Sequence, residues 1–151
     1  TMSKLEILDL SHNDLTGPFP NSLTALTKLE LLHLRANMLT GTIPSDISRD
    51  SYWQSFFLNH NLLTGTLPET LSALRYTEYM FFQHNLLTGP IDAAFNHSEQ
   101  LNLNSIDISN NLLTGGIINE LFLLPKIVVL SFSGKIILNM ALNDLYAMQI
   151  I

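Results

Sequence analysis

Short stretches of the chain alternate apolar and polar residues with a period of two. In the segment LEILDLSHN, Leu8 and Leu10 form one set, and the alternate positions are held by Ile7, Asp9 and Ser11. Strict alternation over a few residues is typical of a β-strand with one buried face, because successive side chains of a strand point to opposite sides. The pattern therefore predicts a short strand with its two leucines inward.

The residues after this strand predict a bend, an extended segment and a short helical turn. Asn13 ends the strand, and Gly17 follows where a tight bend with positive φ suits glycine. Pro20 favours an extended path. Leucines then recur every third residue over residues 23–29, a spacing typical of a 3₁₀ turn that faces the core.

This whole unit recurs along the chain. The string Asn-x-Leu-Thr-Gly begins at Asn13, Asn37, Asn61, Asn85 and Asn111, with steps of 24, 24, 24 and 26 residues. A fixed period in this range, with leucine at set offsets, predicts an α/β repeat of leucine-rich type, a solenoid in which each turn contacts only its neighbours. About six 24-residue turns fill the chain. They begin at Leu5, Leu29, Trp53, Thr77, Leu103 and Ile127.

The inward position of every predicted strand is apolar. The pairs are Leu8/Leu10, Leu32/Leu34, Phe56/Leu58, Met80/Phe82, Ile106/Ile108 and Leu130/Phe132. We therefore expect a continuous parallel sheet with strands about 4.8 Å apart. The five repeated asparagines should form an internal ladder, since an amide side chain both donates to and accepts from main-chain groups.

The full pattern, LxxLxLxxNxLTGxIPxxLxxLxx, resembles the plant-type leucine-rich repeats of receptor-like kinases, receptor-like proteins and polygalacturonase inhibitors over about residues 2–133. The LTGxIP half distinguishes this subclass. The resemblance implies a right-handed solenoid, a concave parallel β-sheet that reads a ligand, and an extracellular or cell-surface setting. The chain departs from the family where Asp92 and Ile118 replace the proline, where Asp50 replaces a leucine, and in lacking paired-cysteine caps.

The repeat pattern fails near the end of the chain, where Lys135 stands in the asparagine position. We expect the solenoid over residues 2–134, and a degenerate C-terminal turn or a capping helix over residues 135–151. The chain also opens inside a repeat, because Met2 and Leu5 fill positions that leucines fill one turn later. This predicts a fragment of a longer array.

Composition excludes several classes of function. The net charge is −6 and the seven Lys and Arg residues are scattered, which argues against nucleic acid as a partner. No cysteine is present to form a disulfide or a thiolate site, and no apolar run reaches the roughly 18 residues of a spanning helix. No signal peptide is recognisable either.

No motif of catalysis or cofactor binding is found, so we expect no enzyme activity, no cofactor and no metal. One column of residues, two positions after the second inward residue, raises an alternative. It holds His12, Ala36, His60, His84, Asn110 and Gly134. His60 and His84 should be strand neighbours, so the column is either polar surface or a metal or pH-sensing pair.

The outward positions of the second to fourth strands carry the ligand-binding hypothesis. Large apolar groups with a polar rim are the usual composition of a binding hot spot. The residues are Leu31, His33, Arg35, Phe57, Asn59, Tyr79, Phe81 and Gln83. The competing interpretation is that these side chains only stack on each other across the strands, or that another copy covers them.

Three functions fit these features. The first is a non-catalytic recognition module of a receptor-like ectodomain in signalling, with a peptide, protein or glycan ligand. The second is an extracellular inhibitor of a wall-degrading enzyme, and the third is an intracellular scaffold in the cytoplasm. Asn96-His97-Ser98 is an N-glycosylation sequon in the turn with the two-residue insertion, so we expect Asn96 to be exposed and a candidate glycoprotein site.

Overall fold

A computed structural model of the chain describes residues 2–115 and 119–133. Each strand is three residues long, as the short alternating stretches predict. The strands are β1 (Ile7–Asp9), β2 (Thr16–Pro18), β3 (Leu31–His33), β4 (Met38–Thr40), β5 (Ser55–Phe57), β6 (Tyr79–Phe81), β7 (Thr88–Pro90), β8 (Ser105–Asp107), β9 (Leu112–Thr114) and β10 (Val129–Ser131).

Six strands form the main sheet, in the order β1-β3-β5-β6-β8-β10. All neighbours are parallel and in register, so that Leu8, Leu32 and Phe56 pair with one another across β1, β3 and β5. The same register continues through Met80 and Ile106. The predicted parallel sheet and its register are confirmed. The register is well determined, because a one-residue slip would turn the inward apolar side chains outward.

The core lies on the inner side of this sheet. In the second to fifth turns the inward pairs are almost fully buried, with exposed fractions of 0–1%. The remainder of the turn closes over them with 3₁₀ helices at Asn21–Ala25, Glu69–Ala73 and Asp92–Ala94. Pro20 and Pro68 precede two of these helices in extended conformation. A short α-helix, α1, spans Asn119–Phe122.

Burial is incomplete in the first turn. Leu10, predicted to point inward, is 39% exposed, and Leu8 is half-buried. Among the described residues, β1 has a neighbouring strand on one side only. The inward side chains of that turn are therefore covered from one direction. The predicted C-terminal turn or capping helix at 135–151 lies outside the described residues.

Additional strands form where the sequence predicted only a bend. β2 pairs with β4, and β7 pairs with β9, all in parallel. Thr42 and Thr64 form a bridge in the same part of the turn. The Thr-Gly half of the repeat therefore adds a second set of backbone hydrogen bonds between neighbouring turns.

The repeated asparagines connect neighbouring turns at the end of the main strands. Asn61 is representative: its Oδ1 accepts the N–H of Leu39 at 2.9 Å, and its Nδ2 donates to the carbonyls of Leu34 and Leu58 at 2.9 and 3.0 Å. Asn37 and Asn85 make the same set of contacts and are buried. Asn111 also does so and is half-buried.

Asn13, the first member of the series, differs from the others. It is exposed, and its Nδ2 donates to the carbonyls of Leu10 and Ser11, both within its own turn. An internal position for Asn13 was therefore wrong, because the turn that its Oδ1 would serve is absent from the described residues.

Candidate ligand-binding surface

The outward side of the main sheet, here called the sheet face, carries a stack of three rings. His33, Phe57 and Phe81 occupy the same position of β3, β5 and β6, so the strand register places their side chains in one row. The His33 and Phe57 ring centroids are 4.2 Å apart at an interplanar angle of 7°, and those of Phe57 and Phe81 are 4.7 Å apart at 15°. We call these three residues the aromatic column.

The remaining predicted apolar residues lie beside this column. The Tyr79 ring meets Phe81 edge-on at 6.4 Å, and Leu31 lies in the adjacent position of β3. All of these side chains are half-buried. They stack on each other, as the competing interpretation held, and they also remain partly accessible to solvent.

Each end of the aromatic column has an aspartate in the same row. Asp9 is paired with His33 in register, and Asp107 is paired with Phe81. Both carboxylates accept a backbone N–H two residues on, from Ser11 and Ser109, each at 2.9 Å from Oδ1. The row therefore reads carboxylate, three rings, carboxylate.

The two carboxylates differ in their second contact. Asp9 Oδ2 lies 3.8 Å from His33 Nδ1. The nearby Ser11 hydroxyl and the hydrogen-bonded backbone N–H of Ser11 lower the pKa of Asp9, and burial lowers the pKa of His33 despite the nearby Asp9 carboxylate. In the described part of the chain, Asp107 has no ion-pair partner.

A polar row borders the aromatic column two residues further along each strand. It contains Arg35, Asn59 and Gln83, and neighbouring backbone hydrogen bonds continue the sheet register through it. Asn59 was predicted to belong to the polar rim of the binding surface. It lies in that row but is buried, with only 7% of its surface exposed. Arg35 is exposed and Gln83 is half-buried.

Four polar atoms of the sheet face are buried without a hydrogen-bond partner among the described residues. They are Ser11 Oγ, His33 Nε2, Asn59 Oδ1 and Gln83 Oε1. Buried polar atoms nearly always have a partner, because leaving one unpaired costs about 1–3 kcal/mol. Because these atoms are buried, an incoming group can form a hydrogen bond with them only after a change of side-chain conformation that exposes them.

The histidine column has a backbone explanation. His12, Ala36, His60, His84 and Asn110 all have positive φ, between 52° and 56°. The chain turns a corner there after each of β1, β3, β5, β6 and β8, and histidine and asparagine tolerate this conformation better than most residues. Backbone geometry thus accounts for the recurrence of these residue types at the corner.

The two adjacent histidines of that column stack. The His60 and His84 ring centroids are 4.3 Å apart at 15°, and His84 Nε2 lies 3.4 Å from Asn110 Nδ2. Burial and the neighbouring His84 lower the pKa of His60. Within residues 2–115 and 119–133, no three potential ligands among His, Cys, Asp and Glu group together as a metal site.

The predicted glycosylation site is less open than expected. Asn96 is half-buried, and its Oδ1 accepts the N–H of Ser98 at 2.9 Å. The cause is Gln100, which is fully buried in a leucine position of the repeat. Its Oε1 accepts the Asn96 N–H at 2.8 Å, and its Nε2 donates to the Leu71 carbonyl at 2.9 Å. Sequence reasoning missed Gln100, although the two-residue insertion marks its turn.

Comparison with known proteins agrees with this geometry. The Leucine Rich Repeat family model matches residues 4–26, 28–49 and 102–124. The solved plant peptide hormone receptor RGFR1, in complex with RGF2, superposes with a TM-score of 0.78 and 35% identity over 85% of this chain. The chain has the leucine-rich-repeat fold.

Two further structures are similar to this leucine-rich-repeat chain. The Arabidopsis receptor kinase HAESA, solved with the peptide hormone IDA and the co-receptor SERK1, has a TM-score of 0.79 and 28% identity over 87% of the chain. The leucine-rich-repeat ectodomain of the receptor kinase SOBIR1 from Arabidopsis thaliana has a TM-score of 0.76 and 25% identity, covering 87% of this chain and 71% of that one.

The chain matches only a small part of two of these structures. The leucine-rich-repeat chain spans 20% of the RGFR1 structure and 22% of the HAESA structure. No curated protein sequence gives a significant match. Within the described residues, no helix has the length and apolar character to cross a membrane.

Proposed function

We propose that this leucine-rich-repeat chain is a non-catalytic recognition module that binds a protein or peptide on its sheet face. The observation that carries the proposal is the aromatic column, a half-exposed stack of three rings bordered by polar atoms that lack partners. Rigid aromatic anchors with nearby unsatisfied polar groups are the composition of a binding hot spot. Stacking fixes the rings before a ligand arrives, which lowers the entropic cost of binding.

The similar structures support this proposal and its setting. HAESA was solved with a peptide hormone and a co-receptor, and RGFR1 with RGF2. SOBIR1 was solved as the ectodomain of a receptor kinase. We therefore assign the chain to a receptor-like ectodomain in signalling, at the cell surface, with a peptide or protein as its partner. A glycan ligand and occupancy of Asn96 by a sugar are secondary parts of the same proposal.

Each sheet-face residue has a role in this proposal. Phe57 and Phe81 are the apolar anchors, because they are the two phenyl rings of the aromatic column. Tyr79 and Leu31 extend the apolar area on one side. The polar row on the other side would hydrogen-bond the ligand through Arg35, Asn59 and Gln83.

The test is a selection of peptides from an unbiased displayed library against the wild-type chain, followed by affinity measurement on variants. Phe57→Ala and Phe81→Ala should each weaken binding by about 2 kcal/mol or more. Tyr52→Ala is the matched control, because Tyr52 also stacks on an aromatic residue of the next turn, Tyr76, at 4.5 Å but lies off the sheet face. If both Phe variants fold normally by circular dichroism and bind with unchanged affinity, the sheet face is excluded as the binding site.

A further inference from the structure

The end of the aromatic column at Phe81 differs from the end at His33. At the His33 end, a planar ring with N–H donors lies between the carboxylate of Asp9 and the phenyl rings, 3.8 Å from the carboxylate. At the Phe81 end, the ring is followed directly by Asp107. The column therefore has a planar donor at one end and lacks one at the other.

The geometry around Phe81 leaves room for such a group. Phe57 covers one face of the Phe81 ring, and Tyr79 meets the ring edge-on. The other face points along the row to Asp107, whose side chain is shorter than a phenyl ring. Phe81 is half-buried, so part of its ring is exposed to solvent.

Two acceptors border this space. The Asp107 carboxylate has no ion-pair partner within the described residues, and its Oδ1 is held by the Ser109 N–H. Gln83 Oε1, two residues after Phe81 on the adjoining strand, is buried and unpaired among the described residues. Asn59 Oδ1, one strand further, is in the same condition on a side chain that is only 7% exposed. A carboxylate beside unpaired carbonyl oxygens requires a ligand rich in donors.

The surrounding charges are compatible with a cation at this end. Arg35 lies in the second turn, three strand spacings or about 14 Å from the fifth turn that carries Asp107. Burial and the neighbouring His84 lower the pKa of His60, although the Asp107 carboxylate acts in the opposite direction, and this lowering disfavours a positive charge on His60. The chain as a whole carries a net charge of −6.

We propose that the Phe81 end of the aromatic column binds an arginine side chain of the peptide ligand. Its guanidinium stacks on the exposed part of the Phe81 ring and pairs with Asp107; after a rotation of the Gln83 side chain that exposes the buried Oε1, it donates a second hydrogen bond to that oxygen. Guanidinium suits the site because it is planar, stacks on aromatic rings, and presents several N–H donors in one plane. An ammonium group has the charge but cannot stack. This inference rests on the proposed function and specifies the ligand chemistry of the same surface.

The experiment uses random nonapeptide pools that differ only in the fixed central residue: arginine, citrulline or lysine. Citrulline has the shape of arginine without its charge. Affinities of the pools are measured for the wild-type chain. We expect the arginine pool to bind about fivefold or more tightly than the citrulline pool, with the lysine pool between them.

Two matched variants test whether Asp107 is responsible for the preference for arginine. Asp107→Asn keeps an oxygen for the Ser109 N–H and should bring the arginine pool to the level of the citrulline pool, whose binding stays unchanged. Asp9→Asn is the control, because Asp9 has the same row and the same contact with Ser11. It should leave the preference for arginine intact.

The outcomes separate the two proposals. Equal binding of the arginine and citrulline pools to the wild type, a lysine pool equal to the arginine pool, or a preference that survives Asp107→Asn would each overturn the guanidinium assignment. In these cases a dependence of all pools on Phe57 would leave the proposed function standing. If no pool binds, or if Phe57→Ala changes none of the affinities, the proposed function fails and this inference fails with it.

Discussion

At the scale of single residues, one asparagine per turn connects neighbouring turns through side-chain hydrogen bonds. Asn37, Asn61 and Asn85 are each buried, and each connects its own turn to the preceding one through both amide atoms. Without them, the N–H groups of Leu15, Leu39 and Leu63 would lose the side-chain oxygen that accepts their hydrogen bond. A buried unpaired backbone group costs more than a hydrogen bond gains.

Replacing Asn61 by alanine should therefore destabilise the fold by about 1–3 kcal/mol, since it unpairs the Leu39 N–H and removes one of the two donors to the Leu34 carbonyl. Asn13→Ala is the matched control, because Asn13 has the same place in the repeat but is exposed and contacts only its own turn. Urea unfolding of both variants compares them. Equal midpoints would show that the inter-turn hydrogen bonds contribute nothing beyond the local ones.

At the scale of the elements, two parallel sets of strands hold each turn to the next. The main sheet follows directly from the alternation of the sequence. The second set passes through the Thr-Gly bend, where Gly65 has φ of +77° and lies against Thr42. A β-carbon at Gly65 would stand 2.7 Å from Thr42 Cγ2, whereas one at Gly17 would meet nothing within 4 Å.

Gly65→Ala should therefore cost more stability than Gly17→Ala, by about 1 kcal/mol or more of added steric strain. Both substitutions share the penalty of positive φ, about 1–2 kcal/mol, so their difference isolates the clash. The combination of Gly65→Ala with Thr42→Ala should recover the excess. Thermal or urea unfolding measures all three variants, and a double variant no more stable than Gly65→Ala alone would contradict this account.

The elements also show which features a sequence can predict. Strand positions, register and the 3₁₀ segments follow from the spacing of apolar residues, because that spacing alone decides which side chains are inward. The second set of strands could not be predicted, since residues such as Thr16 and Thr88 pair through backbone atoms and carry no pattern of burial. The burial of Gln100 could not be predicted for a similar reason. A glutamine side chain is buried only where nearby carbonyl groups accept its hydrogen bonds, and these groups are known only from the structure.

At the candidate site, too, the sequence predicted which residues lie on the sheet face but not how their polar atoms are paired. Alternation placed Phe57 and Phe81 on the sheet face, and the register made them neighbours. Which atoms lack partners depends on side-chain conformation, so the unpaired oxygens of Asn59 and Gln83 could be found only in the structure. The link of both ends of the column to aspartates is visible in the sequence once the turns are superposed.

At the scale of the whole molecule, contacts between elements run between adjacent turns. A core built in this way is shielded along its length and open at a terminal turn. The first turn shows this, since Met2 is 66%, Ile7 59% and Leu10 39% exposed. An apolar end surface of this kind favours contact with another apolar surface.

The isolated 151-residue chain should therefore associate as its concentration rises. The double substitution Ile7→Lys and Leu10→Gln should shift it toward the monomer, as measured by size-exclusion chromatography with light scattering. Leu62→Gln is the control, because Leu62 is 47% exposed but belongs to the third turn. A wild-type chain that remains monomeric at every concentration would show that the first turn is sufficiently covered.

The strict alternation within each strand has a consequence for how such a protein evolves. Residues such as Phe56 and Phe57 are adjacent in the chain, yet the first belongs wholly to the core and the second to the sheet face. Substitutions in the second set remove less core packing than substitutions in the first, so selection can act on recognition with a smaller penalty in folding. A lineage that duplicates such repeats can therefore explore new ligands turn by turn, while the leucines and asparagines stay constant.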